Sequence, residues 1–339
     1  MKIKSGLGTS LALLIPLAVA AQPGNPSFAI VNRIVGPDGN WDYAVADSAN
    51  RRLYIARDYG VMEVDLDSGA VTGKLIPGSG VHGVAVIGDT GLLISTNGKA
   101  NTATLFEGKT GKIINEFQAG ADPDAAVYEP KSGLIAIINH ESGDATLIDP
   151  NAKSSVGTIP IGGELEFAAV DGDGYLYVNI ADKAEIAVID IAARRVTMRL
   201  PLKGCVEPSG LAYDSDDQLL IASCFNGVAI FLDSKDHRQI ALIHTGKIPD
   251  AVIFDASRRL VFIPSFTNGN VTVITARDRK NIHAVQTLAT QVGTRTGALD
   301  TKTGRIYLPT SRLIPPAKEG DYPTPVPGTF EVLVMSAKH

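Results

Sequence analysis

The segment PDAAVYEPKSGLIAII runs from Pro123 to Ile138, and PDAVIFDASRRLVFIP runs from Pro249 to Pro264. Their starts lie 126 residues apart, which is three periods of 42. A chain that writes one sentence twice at such a spacing is built from stacked units, so further copies belong between and around the two. They begin at WDYAVADSANRRLYIAR (41), VHGVAVIGDTGLLIST (81), LEFAAVDGDGYLYVNI (165), PSGLAYDSDDQLLIAS (208) and TRTGALDTKTGRIYLPT (294). Seven copies about 40 residues apart match the length of a four-stranded propeller blade.

Each copy has the same internal grammar. A short apolar strand runs into a polar turn such as DSAN, EPKSG or DSDD, and a second strand such as RLYIA or YLYVN follows. A loop with Asn, Asp or Gly leads to a third strand (VMEVDL, IAVIDI, VTVIT), and a turn such as DSG or KTG precedes the fourth. Short β-branched runs bounded by turn residues are strands, and no stretch sustains a helical period over three turns. The seventh copy runs out after its third strand, FEVLVMS (330–336). FAIVNRIVG (28–36) resembles the fourth strands of other copies and stands just before the first one. The expected fold is therefore an all-β, seven-bladed β-propeller whose last blade is completed by the N-terminal strand, a closure that leaves no open circular edge.

Composition agrees with a folded chain: 45% of the 339 residues are hydrophobic and 20% charged. Length alone suggests two domains, but closed all-β architectures run long as single units, so one propeller over residues 22–339 is expected. Residues 1–21 read as a signal peptide, with Lys2 and Lys4 at the positive end, LALLIPLAVAA as the apolar stretch, and Ala18 and Ala20 as small cleavage-site residues. That stretch falls short of the roughly 20 residues that span a bilayer, so no permanent membrane anchor is expected. The reading is an exported, periplasmic protein. Loss of Lys2 and Lys4 moves the net charge from −5 to −7, and without a basic block nucleic acid is not an expected partner. A closed ring needs no second copy, so a monomer is expected.

The run YLYVNIADKAEIAVIDIAARRV (175–196) and the segment PSGLAYDSDDQLLIAS resemble the YVTN β-propeller repeat family. From Phe28 to the C-terminus the chain is similar to its exported, YncE-like seven-bladed members. The resemblance implies fold and location. It implies little chemistry, because propellers carry many unrelated functions.

In a propeller the first strand of each blade lines the channel, and its entry shares a face with the loop after the second strand. The second position of the seven copies is Asp42, His82, Asp124, Glu166, Ser209, Asp250 and Arg295. Each Asp could cap a turn of its own blade. A structural joint would favour one residue type, however, and the mixture of acidic, basic and neutral types favours a shared site at the channel mouth. The loops after the second strands bring Arg57, Asn97, Asn139, His140, Asn179, Cys224, Ser265 and Thr310 to the same face. Candidate catalytic residues are His82, Asp124 and His140, because a His beside a carboxylate can move protons near neutral pH. Candidate ligand-binding residues are Asp42, Arg57, Asn97, Asn139, Glu166, Asn179, Asp250 and Arg295. The carboxylates could hold a divalent cation, Ca²⁺ or Mg²⁺; without one they would repel each other and their pKa values would rise.

Cys205 and Cys224 map to the same face in an exported chain, and a disulfide is expected, stabilising by about 3 kcal/mol. The proline-rich insertion RLIPPAKEGDYPTPVPG (312–328) reads as a stiff arm on the mouth face, equally a lid with Arg312 or Tyr322 near a ligand, a partner-binding arm, or packing over Arg295. GSGVHG (78–83) spells a dinucleotide fingerprint but opens no helix, so it carries no phosphate site. Two function classes follow. One is an exported propeller that binds a small ligand or a periplasmic protein at an acidic mouth. The other is a hydrolase or lyase acting on a lactone-like or sugar-like molecule, with a divalent metal as an option.

Overall fold

The computed structural model describes residues 27–315, 318 and 323–338. Residues 1–21, read above as a signal peptide, and Tyr322 and His339 lie outside the described residues. Seven four-stranded antiparallel sheets follow one another along the chain. Blade one starts with Trp41–Asp47, and the innermost strands of blades two to seven are Val81–Ile87, Pro123–Glu129, Leu165–Val170, Pro208–Asp214, Ile253–Asp255 and Ala298–Asp300. Each innermost strand packs beside the next, and the seventh packs beside the first. This is the expected propeller.

Closure is as the sequence predicts. The strand Phe28–Val35 forms the outer edge of blade seven and pairs antiparallel with Glu331–Ala337, from Phe28 opposite Ala337 to Val35 opposite Glu331. Phe28 is fully buried, meets Phe262 of blade six edge-on with ring centroids 5.0 Å apart, and packs in a cluster with Leu260, Leu308 and Met335. Arg57 secures the neighbouring seam. Its fully buried guanidinium donates to the carbonyls of Asn40 (2.7 Å), Pro37 (2.8 Å) and Gly39 (3.1 Å) and stacks on Phe330 of blade seven at 3.8 Å.

A β-bulge recurs at the mouth end of the innermost strands. Register shifts fall between Trp41 and Ala44, Val81 and Val84, Pro123 and Ala125, Leu165 and Ala168, and Pro208 and Leu211. In blades six and seven the ladder begins only at Ile253 and Ala298, so Asp250 and Arg295 lie outside it altogether. A bulge re-aims side chains that regular pleating would send into the blade faces. It frees the second and third residues of each copy to turn toward the channel.

At the opposite face a second set of carboxylates works as joints. Asp300, fully buried, accepts from Arg51 of blade one at 2.8 Å and from the N–H of Lys302. Asp214 of blade five likewise pairs with Arg259 of blade six at 2.6 Å. The disulfide Cys205–Cys224 is present, with Cα atoms 5.5 Å apart. At the described ends of the insertion Leu313 pairs antiparallel with Pro325 and Ile314 with Thr324, and the N–H of Gly328 donates to Asp38 at 2.7 Å. Among the described residues no helix is long and apolar enough to cross a membrane.

Truncating the closing strand tests its weight. Phe28→Ala should lower unfolding free energy by about 3–5 kcal/mol in urea titration. Val35→Ala on the same strand, 72% exposed, should leave it unchanged.

Candidate functional site at the channel mouth

The second-position residues form one belt. His82 Nδ1 lies 2.7 Å from Asp42 Oδ2 and 3.7 Å from Asp124 Oδ1. Asp42 Oδ1 lies 3.7 Å from Arg295 Nη2, and Arg295 Nε sits 3.0 Å from Asp250 Oδ2. Ser209 Oγ donates to Asp250 Oδ1 at 2.6 Å and lies 3.3 Å from Glu166 Oε2. The belt therefore runs from Asp124 through blades two, one, seven, six and five to Glu166. Its two ends are carboxylates on adjacent blades. His140 stands beside the second end: its Nδ1–H donates to the Leu165 carbonyl at 2.8 Å, and Nδ1 lies 3.5 Å from Glu166 Oε1.

Neighbouring blades hold these positions by their backbone. Thr96 Oγ1 donates to the Asp124 carbonyl (3.0 Å), Thr296 Oγ1 to that of Asp42 (2.8 Å), and Arg295 Nη2 to that of Trp41 (3.0 Å). Asn179 Nδ2 donates to the carbonyls of Ser209 (2.8 Å) and Gly210 (3.1 Å). Asn97 spends its amide on Thr102 and Thr104, and Asn139 on Asp144 and Thr146. Arg57 and the three asparagines are at most 2% exposed. They support the mouth from the blade interiors instead of lining it, and Ser265 and Thr310 are buried in the same way.

The third position adds residues that the sequence reading passed over. Tyr43 of blade one and Phe167 of blade four meet across the channel with ring centroids 4.7 Å apart, and the Tyr43 hydroxyl donates to Asp250 at 3.3 Å. These rings narrow the channel beside the belt. A signal was present. The third position is otherwise Gly83, Ala125, Gly210, Ala251 and Thr296, and two aromatics in a column of small residues stand out. A Cβ on Gly83 would approach the Asp124 carbonyl to 2.7 Å, and one on Gly210 would approach the Ala251 backbone to 2.6 Å, which is why that column stays small.

Burial and like charge govern the protons. Burial, then the charge of Asp42, push the Asp124 carboxyl well above its usual range, with His82 opposing. Burial, then Asp124 and Asp250, do the same to Glu166. Burial also raises Asp250, which Arg295 partly restrains. For His82 burial pulls downward, but the Asp42 hydrogen bond and the charges of Asp42, Asp124 and Asp122 outweigh it and push the pKa up to about 9. At neutral pH His82 is an imidazolium. It is a charge partner, poorly suited to act as a general base.

Asp42, His82 and Asp124 each offer one ligand atom, all within 4.8 Å of one another. Glu166 and Asp250 are not part of that group. The cation-capable cluster is thus one nitrogen with two carboxylates, a donor set closer to the taste of zinc or manganese than to the all-oxygen shell of calcium.

The class of protein that these features define is a seven-bladed β-propeller. Its fold is shared with a chain of the Kuenenia stuttgartiensis hydrazine synthase (TM-score 0.70, 15% identity, 81% of this chain and 92% of that chain covered). It is shared also with a chain of a mitotic checkpoint complex (TM-score 0.73, 13% identity, 89% and 95% covered). At such identities the likeness is one of fold alone. No protein-family model matches the chain, and no curated protein sequence matches it.

The proton inventory sets a pH dependence. Between pH 6.5 and about 9 the folded protein keeps a proton on His82 that the unfolded chain has released. Stability should therefore fall as pH rises through that window, and His82→Gln should flatten the fall in a series of melting curves. The His82 Cε1–H resonance should titrate near 9 by NMR and move down toward 6.5 in Asp42→Asn; a native midpoint near 6.5 would show that Asp42 does not hold the proton.

Proposed function

We propose that the protein is an exported, YVTN-like propeller that binds a ligand or partner through a cationic group seated in its acidic mouth. The observation that carries this reading is the break in the belt between Asp124 and Glu166. Every other neighbouring pair in the belt has an opposite charge or a hydroxyl between its members, whereas here two carboxyls follow one another, Asp124 raising the proton affinity of Glu166, with the His140 imidazole 3.5 Å from Glu166 in place of a fixed cation. An ammonium or guanidinium group placed between them would replace their protons with a permanent positive charge. Export is supported by the Cys205–Cys224 disulfide, which suits an oxidising compartment. The repeat grammar supports the family assignment.

One observation favours the enzymatic reading. Asp124, whose proton affinity burial raises and which lies 3.7 Å from His82, is a candidate proton donor, as a hydrolase or lyase acting on a lactone-like substrate would need. Asp124 would then act as acid, His82 and Asp42 would hold its environment, and Arg295 would hold an anionic group.

The test is calorimetric titration of the chelator-treated protein with phenethylamine and agmatine, against phenylacetate as the anionic control. Both cations should bind, release protons on binding, and gain affinity as pH rises from 6 to 8. Asp124→Asn and Glu166→Gln should weaken both at least tenfold. Binding of phenylacetate alone would overturn the reading. Parallel melting curves with Ca²⁺, Mg²⁺, Mn²⁺ and Zn²⁺ should respond to Zn²⁺ or Mn²⁺ before the alkaline earths if Asp42, His82 and Asp124 hold a metal. Turnover of glucono-lactone that is lost in Asp124→Asn would move the function to the hydrolase class.

A further inference from the structure

The mouth is asymmetric. On blades two to four the rim loops carry charged side chains such as Lys99, Asp122, Glu141 and Asp182. On blades five to seven they carry Val206, Phe225, Ile248, Phe266 and Val292. Val206 is 52% exposed and Val292 51%, while both phenylalanines are half-buried. These loops are stitched to one another across the blades. Phe225 N–H donates to the Val206 carbonyl (3.0 Å), Ile248 N–H to that of Phe225 (3.0 Å), Phe266 N–H to that of Ile248 (3.1 Å), and Gly293 N–H to that of Phe266 (2.9 Å). The disulfide joins the residues immediately before Val206 and Phe225, so one end of the apolar arc is covalently fixed.

Ile248 is the residue that folding does not explain. It precedes the proline of blade six with a φ of 52°, in the left-handed region that β-branched residues avoid. The matching position is Gly80 in blade two, Asp122 in blade three and Glu207 in blade five, all with positive φ. An isoleucine there costs backbone energy and presents its side chain to solvent at 38% exposure. Exposed apolar side chains gathered along one rim, here interleaved with Glu207, Asn226, Lys247 and Asn268, mark an interaction site.

The arc ends at a cleft of about 80 Å³ between blades four and five, lined by Glu164, Glu166 and Glu207 with Phe225, Pro208 and Ser209. Three glutamates beside an aromatic ring complement a positively charged side chain with an aliphatic stem. Glu166 belongs to both this cleft and the belt, so apolar arc and acidic mouth are continuous. A small amine can fill the cleft, but it cannot cover the rim of three blades.

Resting on the acidic-mouth reading, we propose that the rim of blades five to seven docks an extended segment of a partner protein in which apolar side chains flank a lysine or arginine. The basic residue enters the glutamate cleft, and the apolar residues lie along Phe225, Ile248 and Phe266.

Fluorescence anisotropy with three labelled synthetic hexapeptides tests this: alternating leucine and lysine, alternating leucine and glutamate, and alternating serine and lysine. The leucine–lysine peptide should bind saturably, with the other two at least tenfold weaker. Ile248→Gly and Phe266→Ala should each weaken it at least fivefold. Ile248→Gly should melt at an unchanged or higher temperature, because glycine relieves the left-handed backbone; a lower Tm with unchanged peptide affinity would make Ile248 a folding residue and overturn the proposal. Binding that survives both rim variants but is lost in Asp124→Asn would keep the acidic mouth and overturn the rim. Phenethylamine binding as tightly as the peptide would replace the protein segment with a small amine. Failure of both peptide and amine to bind would overturn the two readings together.

Discussion

Ring closure is the constraint on which everything else depends. Seven twisted sheets can share an axis only if the last is tied to the first, and here the tie is made by a strand from the opposite end of the chain, Phe28–Val35 against Glu331–Ala337. The pairing joins residues some 300 positions apart, so its loop-closure cost falls late in folding, and the burial of Phe28 and Met335 beside it offsets that cost. Arg57 adds a second tie at the neighbouring seam, between blades one and seven. It is a buried cation satisfied by backbone carbonyls and an aromatic face, with no carboxylate partner among its hydrogen bonds. Burial lowers its pKa, a cost that its fixed carbonyl cage and stacking compensate.

Closure fixes where the inner strands begin, and the bulges there decide what faces the funnel. A regular strand would send alternate residues into the interfaces between blades. With the ladder interrupted after the first residue, both the second and third residues escape that alternation, and a polar belt sits beside an aromatic pair. This separates the two kinds of aspartate in each repeat. Those at the end of the innermost strand, such as Asp214 and Asp300, are consumed by turn N–H groups and an arginine from the adjoining blade. Those at its entry are held by their backbones and leave their carboxyls to the mouth.

The fold was legible because it is periodic. The turn-bounded strands of seven copies fix blade count, strand order and closure, and the alignment also places Asp42, His82, Asp124, Glu166, Ser209, Asp250 and Arg295 on one mouth. What the alignment could not supply is side-chain direction. Arg57, Asn97, Asn139 and Asn179 end their strands on the correct face but turn inward, because bonds to carbonyls, Thr hydroxyls and Asp144 are available there. Tyr43 and Phe167 occupy a column dominated by small residues, and only the bulge explains why they meet across the channel. The Ile248 anomaly depends on a backbone angle, which no residue pattern reveals.

Carboxyls gathered in a half-buried funnel oppose folding. Desolvation and mutual repulsion both disfavour their ionised forms, and the fold accommodates them by raising the proton affinity of Asp124 and Glu166 and by placing His82 and Arg295 among them. That compensation is thinnest between blades three and four, where Glu166 has the His140 imidazole 3.5 Å away in place of a fixed cation. A sequence selected for stability alone would fill this gap with a lysine, or with the small residues that dominate the next column. The break therefore reads as a place reserved for a positive charge brought from outside, and the apolar rim beginning on the far side of Glu166 gives that charge a direction of approach.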